Sequence, residues 1–271
     1  MEYSVLREGE RLDEVNERIK LISRVKGLTF GSDAFLLSAF CNPRPLRTSK
    51  SAPDGKARRT APAAARAADL GCGTGIISLL LAARGTYAHV TAVEVQPIFA
   101  ELAERNVELN GFSHTVSVLC KDVRDLTPAD FGGELDAVLS NPPYMRADSG
   151  FSSPTEEKQI ARHELLGDIR DFAAAAARCL RYGGKCYTVY RPDRLCTLLG
   201  ALRDAKLEPK RMVFVHDHAD KEPSMVLTES VRGGKEGLVL LPPLILHETT
   251  ANGVEKCLSP RAQAIYDEGH F

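Results

Sequence analysis

The sequence of 271 residues has no tryptophan, few other aromatic residues and almost no net charge. Aromatic residues make up 6% of the chain, and the formal net charge is −1. Because there is no global excess of positive charge, any nucleic-acid surface must be a local patch. No apolar run approaches the roughly 20 residues that a membrane span needs. The first residues are charged and contain no apolar signal core, so we expect neither a signal peptide nor a membrane anchor.

The sequence also lacks any Cys-x-x-Cys pair, although it has seven cysteines. An odd number of scattered cysteines is typical of reduced thiols and argues against a disulfide framework or a zinc knuckle. This favours a cytoplasmic protein. His216 and His218 lie two apart, but no third ligand is near them in the sequence, so we predict no metal site.

Strand-like and helix-like segments alternate from about residue 64 onward, which indicates an α/β fold with a parallel sheet. Two late strand-like segments, "RMVFVHDH" and "SMVLTESVR", follow each other closely and suggest an antiparallel pair at one end of the sheet. Residues 1–42 are predicted to form a capping segment with one helix, capped by Ser32 or Asp33. The main domain would then cover residues 67–271.

Residues 43–66, between the capping segment and the main domain, are rich in proline, alanine and basic side chains. This composition buries little apolar surface, so we predict a mobile insertion. Its basic residues are Arg44, Arg47, Lys50, Lys56, Arg58, Arg59 and Arg66.

The stretch "DLGCGTG" (Asp69–Gly75) follows a predicted strand and opens a predicted helix. Its glycines permit positive φ angles and a close approach of a ligand to the backbone, and the helix start offers free N–H groups. The spacing is Gly-x-Gly-x-Gly, and Ile76 follows where a dinucleotide fingerprint continues to its third glycine. The pattern therefore disfavours NAD and FAD.

Two acidic residues follow the next two strands. Glu94 ends one strand roughly 20 residues after the last glycine, a position from which a carboxylate accepts hydrogen bonds from ribose hydroxyls. Asp122 follows the next strand and can accept from an adenine amino group, while the N–H of Val123 can donate to a ring nitrogen. Either acid alone is as easily a solvated strand end. Together with the glycine loop they predict a ligand site at the carboxyl ends of the strands.

The series "DLGCGTG", "VEV", "KDV" and "NPPY" resembles the motifs of class I S-adenosylmethionine-dependent methyltransferases. The resemblance implies a Rossmann-like fold with a seven-stranded, mostly parallel sheet, one antiparallel strand and helices on both faces. It also implies S-adenosyl-L-methionine as the cofactor. The residues that it assigns to the cofactor here are Asp69, Gly71, Cys72, Gly73, Gly75, Glu94, Val95, Asp122, Val123 and Asn141.

The stretch "NPPY" (Asn141–Tyr144) directly follows a predicted strand. Pro142 and Pro143 have no N–H, so the stretch presents the side-chain oxygen of Asn141 and the carbonyl of Pro142 as acceptors. Two such acceptors can hold both hydrogens of a planar amino group and expose its lone pair. Tyr144 offers a ring face for a flipped base. The alternative is a rigid turn with Tyr144 packed over it.

Methyltransferases with this motif act on exocyclic amines of adenine or cytosine, or on the glutamine amide of release factors. The release-factor branch carries a helical domain before its glycine loop, for which residues 1–42 are too short. The stretches "GLTFGSDAFLLSAF", "ARHELLGDIRDFAAAAARCLRYGGKCYTVYRPDRL", "ESVRGGKEGLVLLPPLILHE" and "LSPRAQAIYDEG" resemble bacterial tRNA1(Val) (adenine(37)-N6)-methyltransferases. That resemblance implies methyl transfer to N6 of an adenine in tRNA. It also places Phe30, Gly31 and Asp33 over the cofactor, with Asp33 near its methionine moiety.

Candidate contacts to the tRNA are cations on loops near the strand ends. They are Arg146, Arg162, His163, Arg191, Arg232 and Lys235. Each has a plain alternative as a solvated charge, "VRGGKEG" is equally a hairpin turn, and the insertion is either an RNA arm or without a role. Two other functions also remain open: a protein glutamine N5-methyltransferase, and a non-catalytic RNA-binding protein on the same fold.

Overall fold

The computed structural model describes residues 6–25, 31–41, 65–142, 167–249 and 256–271. Several predicted site residues lie outside these ranges, as does nearly all of the predicted insertion. These site residues are Phe30, Pro143, Tyr144, Arg146, Arg162 and His163.

A nine-stranded sheet organises the chain, in the order β10-β8-β9-β7-β6-β3-β4-β5, with β11 also pairing with β8. Its longer strands are β3 (Arg66–Leu70), β4 (His89–Glu94), β5 (Val116–Cys120), β6 (Leu135–Ser140), β7 (Leu180–Tyr190), β8 (Leu207–His216) and β9 (Pro223–Arg232). β10 (Val239–Leu240) and β11 (Leu244–Ile245) are short and parallel to β8. The seven longer strands and their single antiparallel member, β9, match the fold expected from the sequence.

The antiparallel pair that was predicted for one end of the sheet consists of β8 and β9. β9 lies between β7 and β8 and pairs antiparallel with both, so it is an interior strand. β8 follows it outward and is covered by β10 and β11. The short connection between β8 and β9 predicted the pairing correctly, but it carried no information on which neighbour would flank β9 on its other side.

Helices cover both faces of the sheet. One face packs against α1 (Ser32–Phe40), α2 (Ile76–Arg84), α3 (Pro97–Leu109) and α6 (Pro260–Glu268). The other packs against α4 (Ile169–Cys179) and α5 (Leu195–Asp204). Because parallel strands are covered on both faces, β3, β4 and β6 are buried along nearly their whole length.

The N-terminal segment is a hairpin of β1 (Glu10–Asn16) and β2 (Ile19–Arg24) that lies on α3. Two asparagines one helical turn apart hold its backbone. Asn106 accepts from the N–H of Ile22 at 2.6 Å and donates to the Ile22 carbonyl at 3.0 Å. Asn110 makes the same pair of bonds with Lys20, at 2.9 and 2.7 Å. β12 (His247–Thr249) and β13 (Lys256–Leu258) form a second small antiparallel pair.

Two local predictions were wrong. The residue at the N-cap of α1 is Gly31, and neither Ser32 nor Asp33 caps the helix, because both lie inside its first turn. Arg66, assigned to the insertion, is the first residue of β3. Its N–H donates to Asp136 Oδ2 at 2.9 Å, and its guanidinium donates to the carbonyls of Phe131 and Glu134 at 2.8 and 3.0 Å. These hydrogen bonds hold Arg66 in the sheet.

All seven cysteines are free thiols. Four are buried and three are exposed: Cys41, Cys72, Cys179 and Cys186 belong to the first group, and Cys120, Cys196 and Cys257 to the second. Burial raises the pKa of the Cys41 and Cys186 thiols to about 12. Within the described ranges, no helix has both the length and the apolar character to cross a membrane.

Candidate active site

The glycine loop lies where β3 gives way to α2, at the edge of the sheet where the parallel strands end. This edge is called the carboxyl edge below. Gly71, Gly73 and Gly75 have φ angles of +74°, +55° and +85°. The N–H groups of Gly71 and Cys72 both donate to the Val93 carbonyl at 2.9 Å, which fixes the loop against the end of β4.

The three glycines of the loop differ in what surrounds them. A Cβ at Gly71 would lie 3.2 Å from the ring of Phe172, and one at Gly75 would lie 3.3 Å from the Cβ of Ala103. Those two positions are limited by packing as well as by φ. A Cβ at Gly73 would meet no heavy atom of the described chain within 4 Å. Gly73 therefore marks the open side of the loop, where a ligand can approach the backbone.

Glu94 is the acidic residue whose side chain contacts this loop. It is 5% exposed, its Oε2 accepts from the Gly73 N–H at 3.0 Å, and its Oε1 accepts from the Gln96 N–H at 2.9 Å. A carboxylate has about four lone-pair sites, so both oxygens retain capacity for ligand hydroxyls. The two backbone bonds hold the carboxylate in one orientation, as a diol-binding group requires.

Asp69 is fully buried at the start of the loop. Its Oδ2 accepts from the Ser78 hydroxyl at 2.9 Å, while Oδ1 has no hydrogen-bond partner within the described chain. Burial raises the pKa of this carboxyl to about 7. A buried acceptor without a partner is costly, and a ligand that brings a cationic donor group would satisfy it.

Asp122 and Val123 stand at the next strand end, where the structure adds two arginines that the sequence did not single out. Asp122 accepts from the Arg124 N–H at 2.9 Å and from its guanidinium at 2.5 Å, and this contact lowers the pKa of Asp122. Arg178 reaches from α4 and donates to the carbonyls of Leu126 and Val123 at 2.6 and 3.1 Å. Because the acceptors of Arg178 are backbone carbonyls, no pattern of side chains in the sequence predicts these hydrogen bonds.

Asn141 lies one residue beyond β6, at the same edge. Its Nδ2 donates to Asp33 Oδ2 at 2.7 Å, and Asp33 Oδ1 accepts from the Ala34 N–H at 2.9 Å. A Cβ at Gly31 would lie 2.9 Å from Asp33 Oδ1, so a glycine is needed there for this arrangement. Because Asp33 binds the amide nitrogen of Asn141, the orientation of the amide is fixed, and its oxygen remains as the hydrogen-bond acceptor. The next residue, Pro142, is buried.

The structure thus brings most of the predicted donor and amine residues to one edge. The described members of that group are Gly31, Asp33, Asp69, Gly71, Cys72, Gly73, Gly75, Glu94, Val95, Asp122, Val123, Asn141 and Pro142. Their assignment to ligand atoms stays a prediction. The pairing of Asp33 with Asn141 was not foreseen, because the two residues are 108 positions apart and no spacing rule connects them.

The residues predicted to contact RNA lie at different edges of the sheet. Arg191 lies at the carboxyl edge, where its guanidinium donates to both Asp193 oxygens at 2.9 and 2.8 Å. Arg232 ends β9, which runs in the opposite direction, and Lys235 follows it, so both residues lie at the other end of the strands, called the amino edge below. Arg232 donates to the Leu180 carbonyl and lies 3.4 Å from Glu134. These two residues are therefore separated from Asn141.

The two histidines at the end of β8 have local partners. His216 Nδ1 lies 2.7 Å from the Lys221 carbonyl, and His218 Nε2 lies 3.6 Å from Asp217. In the part of the chain that the structure covers, no three His, Cys, Asp or Glu side chains are arranged to hold a metal ion.

Comparisons with known proteins point in one direction. The family model for the methyltransferase small domain matches residues 58–196. A tRNA1(Val) (adenine(37)-N6)-methyltransferase of Porphyromonas gingivalis is 31% identical over 163 residues, which cover 59% of this chain and 63% of that relative. One of Dyadobacter fermentans is 27% identical over 184 residues, covering 68% of this chain and 75% of that relative.

A solved structure of a predicted O-methyltransferase from Agrobacterium tumefaciens is similar to the whole fold. It has a TM-score of 0.64 and 23% identity, and the similarity covers 88% of this chain and 97% of that one. At this level of identity the similarity concerns the fold alone.

Proposed function

The chain belongs to the methyltransferase small domain family, and from this premise we propose that it is an S-adenosylmethionine-dependent methyltransferase acting on N6 of an adenine in tRNA. The adenine we propose is the one beside the anticodon, as in tRNA1(Val). The observation that carries the proposal is the Asn141 amide, oriented by Asp33 at 2.7 Å, at the same strand edge as the glycine loop.

The residues at the carboxyl edge fit the proposed donor. Its ribose hydroxyls would find the fixed carboxylate of Glu94, and its amino-acid ammonium group would supply the cation that buried Asp69 lacks. Gly73 leaves the space beside the loop open. Asp122, held by Arg124, and the N–H of Val123 would receive the adenine ring. S-adenosylmethionine supplies an electrophilic methyl group on a sulfonium.

The chain's own contribution to the reaction is to hold the target amine. The amide oxygen of Asn141 and the carbonyl of Pro142 accept the two amine hydrogens, which localises the nitrogen lone pair and exposes it. No strong base is needed beforehand, because the nitrogen proton becomes acidic once the methyl group is attached and then passes to water. Positioning of this kind accounts for most of the expected rate gain. A neutral Asn also avoids placing a further charge beside the sulfonium.

The tRNA part of the proposal is supported by the names of the relatives and by the stretches outside the glycine loop that resemble that family. The aligned segment spans 63% of the Porphyromonas relative. A cytoplasmic location is proposed with it, since seven free thiols suit a reducing compartment.

The proposal is tested by incubating the protein with labelled S-adenosylmethionine and either total tRNA or a release factor. Nucleoside mass spectrometry should then find N6-methyladenosine in the tRNA. Label only in the protein acceptor would replace this function by glutamine methylation, and no donor binding in calorimetry would leave only an RNA-binding protein.

The variant Asn141→Ala sharpens the same test. It removes the amine acceptor but none of the contacts at Glu94 or Asp69. We expect methyl transfer to fall by at least about 100-fold, with donor affinity within about twofold of the wild type. A variant that keeps the full rate would show that Asn141 serves only the turn.

A further inference from the structure

Tyr182 is an exposed aromatic side chain at the amino edge of the sheet, far from the glycine loop. It is the third residue of β7 and 77% exposed, the largest exposed fraction among the large apolar and aromatic side chains of the described chain. An aromatic ring in this position is unusual, because rings of this size normally bury most of their surface. Its surroundings show what keeps it there.

The ring of Tyr182 lies against a glycine turn. A Cβ at Gly233 would fall 2.1 Å from the ring, and the Tyr182 hydroxyl donates to the Gly233 carbonyl at 3.0 Å. Gly233 has a φ of +68°, and its N–H donates to the Lys206 carbonyl at 2.9 Å. One face of the ring is therefore held on a fixed turn while the other faces water. Little conformational freedom remains to be lost when a flat group binds to that face.

Lysines lie close to the turn that holds this ring. Lys206 accepts the Gly233 N–H with its backbone carbonyl, and Lys235 is two residues after Gly233. Neither lysine forms an ion pair with any residue that the structure describes. Lys210 Nζ donates to the carbonyls of Lys235 and Glu236, at 2.8 and 3.2 Å, so its charge is oriented but not neutralised. A fixed aromatic face with lysines on the neighbouring turn has the combination of groups that binds single-stranded nucleic acid.

We propose that Tyr182, with Lys206 and Lys235, is a second RNA-contact surface, on which an unpaired base stacks while the lysines meet the neighbouring phosphates. This inference depends on the proposed function for the presence of RNA, but it concerns a different edge of the molecule. Tyr182 and the carboxyl-edge residue Tyr190 are the two ends of one strand, about 26 Å apart at ~3.3 Å per residue. A polynucleotide covers that span in about eight nucleotides at ~3.4 Å each.

The absence of tryptophan from the chain makes a direct test possible. In the variant Tyr182→Trp, the new indole is the only tryptophan, and a base that stacks on it should quench its fluorescence. Titration with an eight-nucleotide single-stranded RNA at low salt is expected to give saturable quenching. Duplex RNA of equal length, whose bases are not available for stacking, should quench less.

Leu240→Trp provides the matched control, since Leu240 is 64% exposed on β10 and is not among the nearest atoms of any glycine in the described chain. Equal quenching of both indoles would mean non-specific contact and would overturn the proposal, as would no quenching at position 182.

Affinity measurements on substituted tyrosine give a second readout. Tyr182→Ala should weaken binding of the single-stranded RNA about tenfold or more, whereas Tyr182→Phe keeps the ring and should lose little. Replacing Lys206 and Lys235 by Gln should reduce the slope of log affinity against log salt by about 1.4. Identical affinities for the Ala and Phe variants would contradict stacking.

The outcome is separable from that of the proposed function. If the wild type methylates tRNA but the indole at position 182 senses no RNA, only the second surface is wrong. If the indole is quenched by RNA but no nucleoside is methylated, the enzyme assignment fails and the surface stands.

Discussion

Asp33 acts on the proposed chemistry through Asn141. A side-chain amide on a loop has two orientations related by a flip, and only one of them presents oxygen to an amine. The 2.7 Å bond from Asn141 Nδ2 to Asp33 Oδ2 selects that orientation and involves a charged acceptor, which makes it stronger than a neutral bond. Asp33 is thus a positioning residue for the proposed amine site.

Removing this contact should slow the reaction more than it weakens donor binding. Asp33→Ala frees the Asn141 amide, and the loss of a charge-assisted bond worth about 1.5–3 kcal/mol corresponds to a kcat lower by about 10- to 100-fold. Asp33→Asn keeps an acceptor oxygen and should recover much of that loss. The measurement is kcat for tRNA methylation beside the calorimetric Kd of S-adenosylmethionine.

A different effect of Asp33→Ala on donor affinity and kcat would assign another role to Asp33. If Asp33→Ala weakens donor binding strongly while kcat at saturating donor is unchanged, the residue contacts the methionine moiety, as the family resemblance implies. The sequence placed Asp33 and Asn141 at one site but could not show that they touch. Glycine spacing and strand-end acids are local patterns, whereas this contact joins two loops that only the folded sheet brings together.

At the scale of the element, α3 connects the N-terminal hairpin to the glycine loop. Asn106 is fully buried and donates to the carbonyl of Thr74, within the loop, at 3.0 Å, in addition to its two bonds with Ile22 of β2. Asn110, four residues later, holds Lys20 in the same way but reaches no loop carbonyl. A bidentate ion pair between Arg105 and Glu10, at 2.6 and 2.8 Å, adds to the docking.

The two asparagines therefore form a natural comparison. Asn106→Ala and Asn110→Ala should both lower Tm, because each leaves a backbone N–H and carbonyl of β2 without its partner. Only Asn106→Ala should also weaken donor binding, by about five- to tenfold, since one hydrogen bond to the loop is lost. Calorimetric donor affinities at a temperature where both variants are folded decide this. Equal affinities would show that the loop is held without Asn106.

The limits of sequence reasoning at this scale follow from the kind of contact involved. α3 begins at Pro97 and ends at Leu109, two residues before Gly111, and such ends are predictable because a proline at a helix start and a glycine after a helix end are local signals. The docking of β2 on α3 was not expected. Its hydrogen bonds join two asparagine side chains to backbone atoms. Because every residue has the same backbone groups, the sequence does not show which of them would be bound. The interior position of β9 was missed for a related reason, since strand order depends on pairing between distant segments.

For the whole molecule, buried Asp69 makes stability depend on pH. Its pKa is about 7 in the folded chain against an ordinary value of 3.8, so between these values the folded state binds more protons than the unfolded state. The contribution of Asp69 to the free energy of unfolding therefore falls as the pH rises from about 4 to about 7, and levels off above that. Folding at higher pH requires either a buried negative charge or a ligand that neutralises it.

Asp69→Asn should remove this dependence. An amide oxygen at the same place still accepts from Ser78, but it has no charge to bury. Without donor, we expect the Tm of the variant relative to the wild type to rise between pH 4.5 and 8, with the gain complete near pH 8. Thermal unfolding across this range measures it. Parallel curves for the two proteins would mean that Asp69 is ionised and stabilised within the fold.

The fold as a whole was the most predictable level. Alternating strands and helices, with a glycine loop after the first strand of the main domain, are enough to predict the parallel sheet and the edge at which we propose the site. The domain boundaries and the role of the segment before Arg66 remain predictions, because composition indicates only that such a segment buries little surface.

The distribution of thiols has a practical consequence for labelling. The thiolate is the reactive form of cysteine, and burial raises the pKa of Cys72, which lies within the glycine loop, well above its usual value. Maleimide dyes should therefore react first at Cys120, Cys196 and Cys257 and spare the loop. Cys120 ends β5 at the carboxyl edge, and Cys196 lies in α5. With the remaining exposed cysteine replaced by serine, this pair would carry two fluorophores for following distance changes on substrate binding.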